Sequence, residues 1–150
     1  MRGDSVVNKA KQMGSRWEKE LAGLLKGKRQ PSSGAFGTLT HDASLTGDVV
    51  VKYPWWNKLL HIECKYGYGG SSSLSLKRDW LTKVRGEAET AKRYPVLAVK
   101  FRDVTGGDRE SAKVICINVD TWNAMMEEVR GLYLDYLTLL KETYEGEEDG

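Results

Sequence analysis

Asp48-Val49-Val50-Val51, followed after a short turn by Leu59-Leu60-His61-Ile62-Glu63-Cys64-Lys65, is the stretch on which the reading of this chain turns. The first run is β-branched and starts on an acid. Pro54 and Asn57 bracket the turn, so the two runs predict an antiparallel hairpin. Side chains at i and i+2 leave a strand on one face. Glu63 and Lys65 therefore share a face, while Ile62 and Cys64 point to the apolar side. The hairpin can also bring Asp48 beside Glu63. Two carboxylates so placed make an oxygen-lined seat for a hard divalent cation, to which the main-chain carbonyl of Cys64 can add another oxygen. An ammonium at Lys65 can orient an attacking water or stabilise charge developing on a phosphate. The same alternation also describes any half-exposed strand, with Glu63 and Lys65 as a surface pair and Asp48 as a turn cap.

Outward from the hairpin, the chain reads as one α/β domain. Residues 15–26 predict a helix with Trp17, Leu21, Leu24 and Leu25 on one side, and residues 1–12 read as polar and frayed. Residues 30–47 form a long Ser-, Gly- and Thr-rich loop, and residues 66–73 a second, Gly-rich one. Residues 77–93 carry Trp80, Leu81, Val84, Ala88 and Ala91 at helical spacing, with Pro95 as the stop. Val96 to Phe101 and Lys113 to Val119 predict strands, joined by a turn containing Gly106-Gly107. From an expected N-cap at Asp120, Trp122, Met126, Val129, Tyr133, Tyr136 and Leu140 alternate steps of four and three. Met125, Leu132 and Leu137 widen that stripe, which suits either core or a partner surface, and Gly131 is a candidate break. The order helix, hairpin, helix, strand, strand, helix implies a mixed central sheet flanked by helices. The expected organisation is a single domain over residues 1–144, with residues 120–144 as a C-terminal amphipathic helical segment, and an acidic disordered tail at 145–150.

Composition narrows the partners. The chain has 150 residues, 40% hydrophobic and 29% charged, which is enough apolar material for one core without disulfides. No apolar run reaches a membrane-spanning length and no secretory signal precedes the first helix, so the expected setting is intracellular, cytoplasm or nucleoid. Cys64 and Cys116 lack metal-ligand spacing and read as reduced core residues. The net charge of +2 hides an asymmetry. Arg2, Lys9, Lys11, Arg16, Lys19, Lys26, Lys28 and Arg29 make a basic front, and Glu145, Glu147, Glu148 and Asp149 an acidic tail. That distribution suits a polyanion such as nucleic acid.

Glu18 is a third candidate acid. Periodicity does not separate it from Glu20, and Ser15-x-x-Glu18 also fits a capping box.

Several motifs together resemble the archaeal-type Holliday junction resolvases of the PD-(D/E)xK nuclease superfamily. Gly14-Ser15-Arg16-Trp17-Glu18-Lys19-Glu20-Leu21 is similar to their opening helix, and Arg29-Gln30-Pro31-Ser32-Ser33-Gly34 to their Arg-x-Pro-x-Ser-Gly loop. Asp48 and Ile62-Glu63-Cys64-Lys65 resemble the nuclease motif itself. Lys77-Arg78-Asp79 and Pro95-Val96-Leu97-Ala98-Val99-Lys100-Phe101 resemble the later helix start and strand. The likeness implies a restriction-endonuclease-like fold and a site of Glu18, Asp48, Glu63 and Lys65. In it, Mg2+ (replaceable by Mn2+) is held by the three acids and the Cys64 carbonyl. It further implies DNA contacts from Lys26, Lys28, Arg29, Ser32, Ser33, Lys77 and Arg78. The implied protein is a homodimer that cuts four-way junctions by paired symmetric incisions, with no small-molecule cofactor and no membrane partner; a virus is one source for such a gene.

The chain departs from that pattern in its long 33–48 loop with the extra acid Asp42, in Gly47 where a proline is usual, and in the segment after Asp120. Two further readings stay open: another nuclease of the superfamily acting on duplex, flaps or ends, and an inactive nucleic-acid-binding module on the same scaffold. Magnesium-dependent cutting separates the enzymes from the module, and the choice of substrate separates the two enzymes.

Overall fold

A computed structural model describes residues 3–30, 47–69, 72–104 and 112–148. Helix α1 (Gly3–Leu25) leads into the short strand β1 (Lys28–Arg29), the hairpin β2 (Val49–Val51) and β3 (Leu60–Tyr66), helix α2 (Arg78–Thr90), strands β4 (Tyr94–Lys100) and β5 (Lys113–Cys116), and helix α3 (Val119–Glu148). The strands form one sheet in the order β1-β2-β3-β4-β5. Among the described residues only β3 and β4 run parallel, with α2 as their crossover. The other neighbours are antiparallel, as the predicted hairpin is, with Val49 opposite Ile62 and Val51 opposite Leu60. The mixed α/β sheet with flanking helices is the architecture the sequence implied.

The period-2 pattern sorts the sheet into two faces. Val49, Val51, Leu60, Ile62, Tyr94, Val96 and Ala98 pack with Trp17 and Leu21 of α1 and Met125 of α3. Trp17 is buried and its indole N–H donates to the Ala98 carbonyl at 3.3 Å, so its polar edge is satisfied inside the core. Fully burying a side chain such as Ile62 contributes about 1.5–3 kcal/mol. On the opposite face α2 packs over β3 and β4, burying Val84 and Ala88.

Several boundaries differ from the sequence expectation; β4 runs from Tyr94 to Lys100, and β5 stops at Cys116 because Val119 already belongs to the last helix. Helix α1 begins at Gly3, although residues 1–12 read as frayed. Lys9, Ala10, Lys11 and Gln12 are good helix formers that extend the element without apolar periodicity. Ser15 thus lies inside the helix and is no N-cap, which removes the capping box. Helix α2 stops at Thr90, before Pro95, which instead lies within β4. Its stop is a left-handed Lys92, with the Arg93 N–H on Ala88 O at 2.8 Å and the Lys92 N–H on Glu89 O at 3.1 Å. Helix α3 is capped by Asn118, whose side chain accepts the Thr121 N–H at 2.7 Å, and Asp120 lies inside its first turn. Its backbone passes Gly131 unbroken and continues through Glu148, where composition suggested a disordered tail. Glutamate is a good helix former, and the Lys141–Glu145 pair at 3.6 Å supports the last turns.

The 31–46 part of the long loop, with Ser32, Ser33, His41 and Asp42, and the Gly106-Gly107 turn lie outside the described residues. Among the described residues no helix is long and apolar enough to cross a membrane.

Candidate active site

The β2–β3 hairpin puts the acid that precedes β2 onto the backbone of β3. The Asp48 N–H donates to Ile62 O at 2.9 Å, continuing the ladder by one rung. Its carboxylate Oδ2 then accepts the Cys64 N–H at 2.7 Å. Asp48 is thereby fixed against the main chain on both sides of Glu63, which is the juxtaposition the hairpin predicted.

Glu63 and Lys65 share a face, as the alternation required. Lys65 Nζ lies 3.0 Å from Glu63 Oε1, and a second ammonium, Lys83 of α2, reaches the same oxygen at 3.4 Å. Glu63 is only 7% exposed, and a buried carboxylate is stable as a charge only when paired in this way. Lys83 is held further by Glu87 at 3.7 Å. Partial burial pulls its pKa down, but the Glu63 and Glu87 carboxylates outweigh that and keep it above the ordinary lysine value. The Trp80 ring forms a wall, with Lys65 Nζ 5.4 Å from its centroid and Tyr68 packed edge-on at 4.4 Å. Neither Trp80 nor Lys83 was legible as a site residue. Trp80 belongs to an apolar helical stripe, and Lys83 is one exposed lysine among many until the fold brings it to Glu63.

The structure separates Glu18 from Glu20. Glu18 accepts Arg29 Nε at 2.7 Å, and the other arm of the guanidinium reaches Ser15 Oγ at 2.7 Å. Glu20 turns to the far end of the sheet, paired with Lys100 at 2.5 Å and Lys113 at 2.8 Å. Glu18 is the one directed toward the hairpin. Burial drives the Cys64 thiol pKa well up, and the charges of Asp48, Glu18 and Glu63 add to that rise. The charges of three acids thus reach Cys64, of which Asp48 alone bonds to its backbone; Cys64 is free, as is Cys116. Both are half-buried. Among the described residues no three acidic, imidazole or thiol side chains already converge as a metal cluster. The donors on offer are carboxylates and a peptide carbonyl, a hard oxygen set that fits a hard divalent cation.

Basic residues flank this centre. Lys26, Lys28 and Arg29 lie along the β1 edge, and Lys77 and Arg78 open α2, all exposed. Lys77 Nζ stands 5.7 Å from the Trp80 ring centroid, which ties that bank to the Lys65 wall. Along α1, Lys11, Gln12, Ser15, Arg16 and Lys19 line an open cleft of about 540 Å³ that shares Ser15 with the Arg29 contact.

Gly47, standing where the resemblance expects proline, has a local cause. Its φ is +84°, outside what proline reaches, and a Cβ there would lie 2.9 Å from the ring of His61. His61 is fully buried, with Nε2 3.3 Å from Glu87 Oε2. Burial lowers its pKa despite that carboxylate.

A mixed five-stranded sheet whose central hairpin carries Asp48 and then Glu63-x-Lys65 defines a restriction-endonuclease-like domain of the PD-(D/E)xK class. The model of the family described as "Phage putative PDDEXK endonuclease" matches residues 9–147. The chain belongs to this family, nearly all of its length included. No curated protein and no solved structure gives a match.

Proposed function

We propose that the protein is a magnesium-dependent DNA endonuclease that resolves four-way junctions by paired, symmetric incision as a homodimer. The observation that supports the hydrolytic part is the Asp48–Cys64 bond, which ties Asp48 to the residue after Glu63 on the strand that also presents Lys65. The family is one of nucleases, and nucleases of this class use divalent metals. Asp48, Glu63 and the Cys64 carbonyl would hold the cation, with Glu18 as the further acid once Arg29 turns to DNA. When bound, such an ion polarises the phosphate and lowers the pKa of its water.

The chain's own groups supply the rest. Lys65 orients the attacking water and stabilises negative charge on the phosphate, and its contact with Glu63 fixes where the ammonium sits. Lys83 adds a second positive charge from the helix side. Arg29, Lys26 and Lys28 on one bank and Lys77 and Arg78 on the other would bind phosphates, and with Ser32 and Ser33 they form the DNA-binding set. Junction specificity rests on the resemblance of the opening helix and the Arg29–Gly34 loop to junction resolvases.

The test is a denaturing-gel assay comparing an immobile four-way junction with linear duplexes of the same arms, with Mg2+, Mn2+ and EDTA. Paired symmetric nicks in the junction alone, lost in EDTA, are the expected result. Equal cutting of the duplexes would replace the junction by a duplex, flap or end substrate. Binding without cutting under either metal would leave a nucleic-acid-binding module.

A further inference from the structure

Helix α3 carries more apolar surface than the chain covers. At about 1.5 Å per residue its 30 residues extend for roughly 45 Å. The first turns are anchored. Met125 is buried, its carbonyl accepts the Trp56 indole N–H at 3.1 Å, and Glu128 accepts the Asn57 N–H at 2.8 Å. From Val129 the helix leaves the core. Leu132 is 50% exposed, Tyr133 59%, Tyr136 56% and Leu137 41%. The sequence alternatives of core and partner surface are thus divided along one helix: Met125 and Met126 meet the core, Trp122 of the stripe is half exposed, and the stripe is uncovered from Val129 on.

The uncovered part is patterned. Met126, Val129, Tyr133, Tyr136 and Leu140 keep alternating steps of three and four, the 3.5-residue period of a helix–helix seam. Leu132 and Leu137 flank the seam and widen it. Nucleic acid is a poor occupant. Glu127, Glu128, Asp135, Glu142 and Glu145 outnumber Arg130 and Lys141 along the same turns, so a phosphate backbone would be repelled.

We infer that residues 129–140 of α3 form the surface on which a second copy of this chain docks, seam against seam. A heptad seam is self-complementary about a two-fold axis, which one copy of the helix meets in another. The area suffices. With an aromatic side chain carrying about 200 Å² and these residues near half exposure, the stripe offers on the order of 500 Å² per chain. Two chains then reach the roughly 1,000 Å² that a specific interface needs, before polar stems are counted. For its purpose the inference rests on the paired-incision reading, since it names the element that joins two sites; its test does not.

The test is light scattering on a size-exclusion column, on the full chain without DNA, over a range of micromolar concentrations. The expected mass is that of two chains of 16.9 kDa. The Tyr133→Glu/Tyr136→Glu pair should bring it to one chain, with circular dichroism and the melting of the domain retained, because both side chains are exposed in the monomer. Tyr133→Ser/Leu137→Ser is the milder pair should the first fail to fold, and it should weaken association at least tenfold. A wild-type mass of one chain, or a two-chain mass that survives both pairs, overturns the inference. So does a one-chain protein that co-floats with phosphatidylcholine vesicles through this face. A dimer that loses its partner on substitution yet cuts no junction supports this interface and defeats only the junction reading.

Discussion

Asp48 and Cys64 meet at 2.7 Å, carboxylate oxygen to main-chain N–H, across the β2–β3 hairpin. One side chain therefore closes the hairpin and stands in the candidate site, and the two roles separate by substitution. In Asp48→Asn the amide oxygen still accepts the Cys64 N–H, but the charge is gone. Stability should stay within about 1 kcal/mol of wild type while cleavage falls at least about 100-fold. Asp48→Ala removes the acceptor as well and should cost about 1–3 kcal/mol in addition to the activity. Thermal melts beside DNA-cleavage rates check both, and an active Asp48→Asn protein would remove Asp48 from the site.

The two lysines on Glu63 are not equivalent. Lys65 is on the same strand, 3.0 Å from Glu63 and against Trp80, whereas Lys83 is 52% exposed and reaches the same oxygen at 3.4 Å. A fixed, shielded ammonium contributes more than a solvated one. Lys65→Met should lower the cleavage rate by about 100- to 1,000-fold with DNA binding retained, and Lys83→Met by about tenfold or less. Single-turnover rates alongside gel shifts separate chemistry from binding. A larger loss at Lys83 than at Lys65 would reverse the assignment.

What the sequence made legible is what local periodicity carries. Alternation set Glu63 and Lys65 on one face and Ile62 in the core, and both hold. The β-branched run after Asp48 gave the hairpin, and the 3.5-residue steps gave α3. Glu18 and Glu20 were inseparable because both flank one stripe, and only the partners Arg29 and Lys100, at opposite ends of the sheet, tell them apart. Strand β1 went unseen because two residues carry no period. The early start of α1 was missed because its first turns are polar, and the proximity of Lys83 and Trp80 to β3 is a property of the crossover.

Gly47 is a departure that the fold requires. Its positive φ and the 2.9 Å approach of a would-be Cβ to the His61 ring act together. The ring is fully buried and cannot move aside cheaply. Gly47→Ala should destabilise by about 2 kcal/mol or more, and Gly47→Pro by more still, since the ring of proline forbids this φ. Urea unfolding measures both. If Gly47→Pro were as stable as wild type, the backbone at Asp48 would have to follow a different path from the one described.

The hydroxyl of Tyr94, at the start of β4, donates to the carboxylate of Glu128 on α3, joining the sheet to the last helix. Burial and that carboxylate push the Tyr94 pKa from 10.0 up to about 12. The folded protein therefore holds this proton where the unfolded chain has lost it. Because the folded pKa is the higher one, the stabilisation is complete below pH 10.0 and is lost as the pH rises toward about 12. Melting temperature should fall over that window in the wild type. In Tyr94→Phe the fall should be shallower, from a starting point lowered by about 1 kcal/mol for the missing hydrogen bond. Glu128→Gln should shallow it too, since an amide no longer opposes the phenolate. Melts at intervals from neutral to strongly alkaline pH decide the matter, and equal slopes in all three proteins would mean that the Tyr94–Glu128 bond does not tie α3 to the sheet in solution.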